Sequence, residues 1–287
     1  MTIRNPIEWS LDQFRLTALA GQSASRAVGE TREDPGSALL KVHRIELADL
    51  RDALAKGLDD FAACRTDVIF LCIVYPVMGL LLGRLASEYE LVPLLFPLAS
   101  GFALVGPFAA VGLYELSRRR EQGVGVGWPD ALTLVRSPAF GKILALGLLL
   151  VAVFLLWLAT AYLIYALTLG PEPPASLASF VSDVFTTVAG WVLIGAGVGV
   201  GFLFAVLVLV IGAVSFPLLL DRDVTLGAAI RTSARAVILN PGPMALWGLI
   251  VTAGLVIGSI PLLLGLVVVV PVLGHATWHL YRKLVPR

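Results

Sequence analysis

Charge is scarce in this chain. Only 14% of its 287 residues are charged, against about 25% in an ordinary soluble domain. Cysteine is scarcer still. Two residues cannot make a disulfide framework, and a large helical protein does not need one. A net charge of +1 gives no field for nucleic acid, which is therefore not an expected partner. The first residues carry no basic start followed by a short apolar stretch and a small-residue cleavage site, so no secretory signal peptide is expected. What is abundant is apolar mass: 58% of residues are hydrophobic and the mean hydropathy is +0.89. A soluble globule could not hide that much apolar surface, and a disordered chain would not carry it.

The chain divides near Thr66. Residues 1–66 are polar and mixed, with nine Lys or Arg and ten Asp or Glu. Gly21 to Ser37 is small, polar and aperiodic, a loose linker. Trp9 and Phe14 suggest a short interfacial helix before it. After it, Leu47, Leu50, Leu54, Leu58 and Phe61 form one apolar stripe at helical spacing, with Arg51, Asp52, Lys56, Asp59 and Asp60 off it. That stripe predicts a helix over about 45–65, packed on the membrane domain or lying at its interface.

Residues 67–287 predict an all-α, polytopic bundle. A helix needs about 20 apolar residues to cross a bilayer core. Val68–Gly83, Leu91–Leu113, Ile143–Leu169, Trp191–Leu220 and Leu262–Leu280 meet or approach this, and Met244–Ile260 adds a sixth. Gly258 and Pro261 mark the break between the last two. With the N-terminus inside, 20 of the 21 Lys and Arg fall on one side, and only Arg84 falls outside. Both termini are therefore expected in the cytoplasm. Arginine outnumbers lysine 17 to 4, which suggests a GC-rich bacterial genome and hence the inner membrane.

Two units share a plan of inward span, cytoplasmic segment and outward span. Ser137-Pro138 opens one outward span and Asn240-Pro241 the other, each pairing a good N-cap with a helix-starting proline. The cytoplasmic segments are Pro129–Val135 and a helix over about Thr225–Leu239, with Arg231 and Arg235 away from its apolar side. This is either a parallel repeat or two similar solutions to one local problem. Leu177, Phe180, Val181, Val184 and Phe185 predict a third surface helix outside, facing lipid.

Four stretches carry a family resemblance: GFALVGPFAAVGLYELSRRREQG (101–123), SFPLLLDRDV (215–224), AIRTSARAVILNPGPMALWGLI (229–250) and PVLGHATWHLYRKLV (271–285). From about residue 40 onward the chain resembles the bacterial domain-of-unknown-function 2189 family of predicted integral membrane proteins. The surface helix followed by a capped span is also similar to YciC-type membrane proteins. The resemblance implies a six-helix inner-membrane fold and supplies no reaction, ligand or catalytic residue.

Candidate chemistry is sparse. No Asp, Glu, Lys or Arg falls at a bilayer centre, which argues against a proton relay or ion-coupled transport. His275 and His279 lie four apart on one face of the last span, as helix-borne metal ligands do. Cys64 is the nearest further ligand, with Cys72 two turns deeper. The plainer reading joins the histidines to Trp278, Tyr281, Arg282 and Lys283 as an interfacial belt. Gly195, Gly197, Gly199 and Gly201 make two small-xxx-small pairs, which suit close helix packing. Pro93, Pro97, Pro107 and Pro271 are kink candidates. Arg118, Arg119, Arg120, Arg222, Arg231 and Arg235 are candidates for lipid headgroups or a membrane-protein partner; for Arg118 to Arg120 beside Glu115, and Arg222 between Asp221 and Asp223, the plainer reading is membrane anchoring with local ion pairing. No catalytic grouping stands out. The expectation is a non-enzymatic membrane protein without a cofactor, in a structural, homeostatic or lipid- or partner-binding role. Two alternatives stand: a metal or haem protein serving respiratory-complex assembly, and a facilitator of small neutral or apolar solutes.

Overall fold

A computed structural model describes residues 40–64, 91–125, 127 and 137–287, together with 76–77, 79–81 and 83–84. The proposed Trp9–Phe14 helix, the 21–37 linker, the boundary at Thr66, Cys72, most of the first span and Pro129–Val135 lie outside the described residues. All regular structure among the described residues is helical.

Helix α1 (Leu47–Ala63) opens with a capping box between Glu46 and Asp49. Its buried face is Leu50, Ala53, Gly57, Asp60 and Phe61, which keeps Leu50 and Phe61 of the expected stripe and is rotated away from the rest. Leu47 and Leu58 are exposed. Close approach decides the face. A Cβ on Gly57 would stand 2.6 Å from the backbone nitrogen of Ala276, so only small residues fit this crossing.

The run expected as the second span is broken. A 3-10 turn (Val92–Leu94) leads into α2 (Leu95–Ala109), and after Ala110 the chain continues as the polar α3 (Val111–Glu121). Pro107 lacks an N–H and crowds the preceding turn, and the helix ends two residues later. Helix α4 (Phe140–Thr168) has 29 residues, about 43 Å at helical rise. On the far side α5 (Leu177–Thr186) is capped by Ser176 and leaves Leu177, Val181 and Phe185 exposed, as the surface-helix reading expects. Helix α6 (Val188–Gly212) returns and runs almost directly into α7 (Ser215–Asp221). Thr225 caps α8 (Leu226–Leu239) through its side chain. Helices α9 (Pro241–Ser259) and α10 (Leu266–Leu284) form a hairpin broken where Gly258 and Pro261 predict it.

Among the described residues, three helical runs are long and apolar enough to cross a membrane: Phe140–Thr168, Val188–Asp221 and Pro241–Ser259. Their outward residues include Leu155, Leu156, Leu163, Phe202, Leu203 and Leu249, all exposed, as suits a lipid-facing wall. The tightest core takes in the last turns of the second run. Trp278, Tyr281, Phe216, Leu50, Leu116, Leu218 and Leu219 are fully buried where α1, α3, α7, α8 and the C-terminal half of α10 meet.

The glycine ladder of α6 differs from expectation. A Cβ on Gly195, Gly197 or Gly199 would meet nothing within 4 Å among the described residues. Only Gly201 packs, 3.1 Å from the Trp157 ring. Trp157 is fixed there by its indole N–H, which is shared between Pro97 O and Ser100 Oγ.

Candidate functional site: a buried polar layer

Asp60, on the inward face of the last turn of α1, is the hub of a polar cluster. Ser117 Oγ on α3 donates to Asp60 Oδ2 at 2.6 Å. His279 Nε2 on α10 lies 2.8 Å from the same oxygen, and Arg120 Nε is 3.3 Å from Oδ1. Arg120 also donates to the carbonyl of Asp59 at 2.8 Å. Burial alone would raise the Asp60 pKa, but hydrogen bonds from His279 and Ser117 outweigh it and hold the carboxyl below its ordinary value.

His275 completes the cluster. Its Nδ1 is 2.7 Å from Ser117 Oγ. Ser117 has one proton, already given to Asp60, so its oxygen accepts from His275 Nδ1–H. In the neutral ring Nε2 is then a bare acceptor, and it is buried with no hydrogen-bond partner among the described residues. Serine, histidine and aspartate meet here, but not as a relay. Ser117 sits between the other two, and Ser117 and His275 are 1% and 0% exposed. A nucleophile needs a face that a substrate can reach.

Two further networks tie the same layer. Arg282 grips Glu121 through Nε and Nη2 at 2.9–3.1 Å and reaches Asp221 Oδ2 at 3.0 Å. Tyr281 O–H donates to Asp221 at 2.7 Å and the Trp278 indole to Glu121 at 3.1 Å. These bonds lock α3, α7 and α10 together. On the opposite edge, Asn240 does not cap α9. Its side chain accepts from Ile45 N–H at 2.8 Å and donates to the carbonyls of His43 and Ala236, both at 3.1 Å. It fastens the strand-like lead into α1, and His43 N–H adds a bond to Leu284 O at 2.9 Å.

The structure thus brings His275 and His279 together around Asp60. Cys64, the C-cap of α1, is buried nearby at the end of the same helix. Among the described residues no three His, Cys, Asp or Glu are grouped so as to hold a metal ion. Of the arginine candidates, four turn inward. Arg118 pairs with Glu115 and bonds Leu220 O, Arg119 pairs with Glu115, and Arg120 pairs with Asp60. Arg222 bonds the Pro286 carbonyl and lies 3.8 Å from Asp221. Arg231 and Arg235 stay exposed on α8, beside Ile238 at 76% exposure.

Residues 95–221 match the family model described as predicted integral membrane protein (DUF2189). Over that stretch the family resemblance holds. The DUF2189 match runs from the start of α2 to the end of α7, so it contains Ser117, Arg120, Glu121 and Asp221. It stops short of the 229–250 and 271–285 stretches. No curated protein and no solved structure matches the chain. The match and the three long apolar helices together make this an integral membrane protein.

Sequence reasoning missed Asp60, Ser117 and the second role of Asn240. A signal was present for Asp60. Leu50, Ala53, Gly57 and Asp60 recur at helical spacing, a small-residue face that ends on an acid. Ser117 had none, since a serine beside Arg118, Arg119 and Arg120 looks like part of a solvated helix end.

Proposed function

We propose that this chain is a non-enzymatic protein of the bacterial inner membrane, multi-pass, with both termini in the cytoplasm, whose cytoplasmic edge binds anionic lipid headgroups through α8. The observation that carries the reading is the outward placement of Arg231 and Arg235. Both are exposed and neither has an ion-pair partner among the described residues. Ala229, Thr232, Ser233 and Ala236 turn the other face of α8 into the protein. A helix with arginines and an exposed isoleucine on its free face suits the headgroup layer. The 20-to-1 basic asymmetry supports the same sidedness. A non-enzymatic role is supported by the burial of Ser117 and His275 in the grouping around Asp60. The metal or haem reading has a single foothold, the unpaired Nε2 of His275.

The test is lipid retention. Protein exchanged into nanodiscs of mixed phosphatidylglycerol and phosphatidylcholine should enrich the anionic lipid. The double variant Arg231→Gln, Arg235→Gln should lose most of that enrichment. Equal lipid composition around both proteins would overturn the proposal.

A further inference from the structure

Beside α9, helix α10 holds too little apolar, membrane-facing length to cross a bilayer. We propose that the α9–α10 hairpin enters from the side on which α1 lies, turns within the hydrocarbon, and leaves by the same side, its tip seated among the acyl chains of that leaflet.

The lower half of the hairpin is tied to α1. Gly57 stands against Ala276, Asp60 bonds His279, and Lys283 pairs with Asp49 and Asp52 at 2.9 and 2.8 Å. At the base, Asn240 holds the lead into α1 and His43 bonds Leu284 O. Helix α1 exposes Arg51, Lys56 and Asp59 on its free side. Such a face belongs in water or headgroups, not in hydrocarbon. Everything on α10 from about Gly274 onward therefore lies outside the apolar core. Only Leu266–Leu273 remains above it, eight residues and about 12 Å of rise, against a core of about 30 Å. Helix α9 is long enough to cross by itself, yet it stays beside its partner. A Cβ on Gly254 would meet Val269 and Leu273, and one on Gly258 would meet Leu266.

The tip has the chemistry of a buried turn. Residues 260–265 read IPLLLG, without a polar side chain, and Ile260, Leu262 and Leu264 are 75%, 73% and 63% exposed. No charged residue occurs between Arg235 and Arg282, and no Trp or Tyr between Trp247 and Trp278 anchors the tip at a far interface. The backbone provides independent support. In hydrocarbon a backbone N–H or C=O has no water to bond and must be satisfied within the protein. Here Ile260, Leu262, Leu263, Leu264 and Leu266 donate to carbonyls of the turn or its flanking helices, at 2.9–3.3 Å, and Pro261 has no N–H to satisfy, which leaves Gly265 as the one N–H of residues 260–266 without such a bond. Leu262 and Leu263 adopt positive φ of 51° and 67° to make this closed turn.

Both hairpin ends lie on one side in a re-entrant and in a crossing arrangement, so the probe must sit at the tip. A nitroxide on Leu264→Cys, in full-length protein with both native cysteines replaced by serine, should be reached by oxygen and not by a water-soluble nickel chelate. Its depth should fall within the leaflet that borders α1, as calibrated by a second label at Lys56→Cys. The Ile260→Cys variant repeats the measurement should the first fold poorly. Nickel access to the tip from the face opposite α1, or a depth at the far interface, would overturn the proposal.

Discussion

Asp60 accepts from a serine, a histidine and an arginine drawn from three positions on two other helices, and it is the residue on which the docking of α1 turns. Removing Ser117 would leave His275 Nδ1 without its acceptor and Asp60 without its shortest donor. Leaving a buried polar group unpaired costs about 1–3 kcal/mol. Ser117→Ala should therefore lower the stability of detergent-solubilised protein by that order. In the double variant with Asp60→Asn the two losses should not add, because both residues share one network. Strict additivity in chemical denaturation would show that the two act separately. The same carboxylates set a pH dependence. Lys283 and Lys56 pull Asp52 down to about 2 from 3.8. The Glu46 backbone and Lys283 lower Asp49, and Asp60 is lowered as described above. A depressed carboxylate stabilises above its unfolded pKa and loses that contribution as pH falls through the folded value. Protection of the α1 amides from hydrogen exchange should hold near neutrality and fall between about pH 4 and pH 2. Protection that does not change over this window would remove the ion pairs from the account.

At the scale of elements, the long apolar helices were legible because their signal is a run of residues. The break at Gly258 and Pro261, the helix from about Thr225 and the surface helix at Leu177 were legible because each follows a local rule. The face of α1 was not. Leu47, Leu50, Leu54, Leu58 and Phe61 form a fair stripe, but which face is buried depends on how closely α10 approaches, and Gly57 against Ala276 fixes that only in three dimensions. Asn240 was misread for a similar reason, since a cap and a long-range staple use the same side chain. The glycines of α6 show the limit of a spacing rule. Gly195 and Gly199 have packing spacing, yet both look onto open space among the described residues. Replacing Gly201 with Leu should force the Trp157 ring from its place and cost about 1–3 kcal/mol. Replacing Gly197 with Leu should leave thermal stability almost unchanged. A large loss at Gly197 would mean that another helix covers that face.

For the whole molecule, apolar walls and a polar, tightly packed edge are separated along the long helices. Helices α4 and α6 carry exposed leucine, valine and phenylalanine, while the ionic networks gather where α1, α3, α7 and α10 meet. Composition alone pointed to the membrane, and basic asymmetry to the orientation. The polar edge was invisible because its acids come from Asp60, Glu121 and Asp221, positions 61 and 100 residues apart. The account makes one edge cytoplasmic and the α4–α5 loop external, and an impermeant maleimide tests this most directly. With the native cysteines replaced by serine, Ala175→Cys should react in intact cells and Gln122→Cys only after the membrane is opened. Labelling of Gln122→Cys in intact cells, with Ala175→Cys protected, would contradict it.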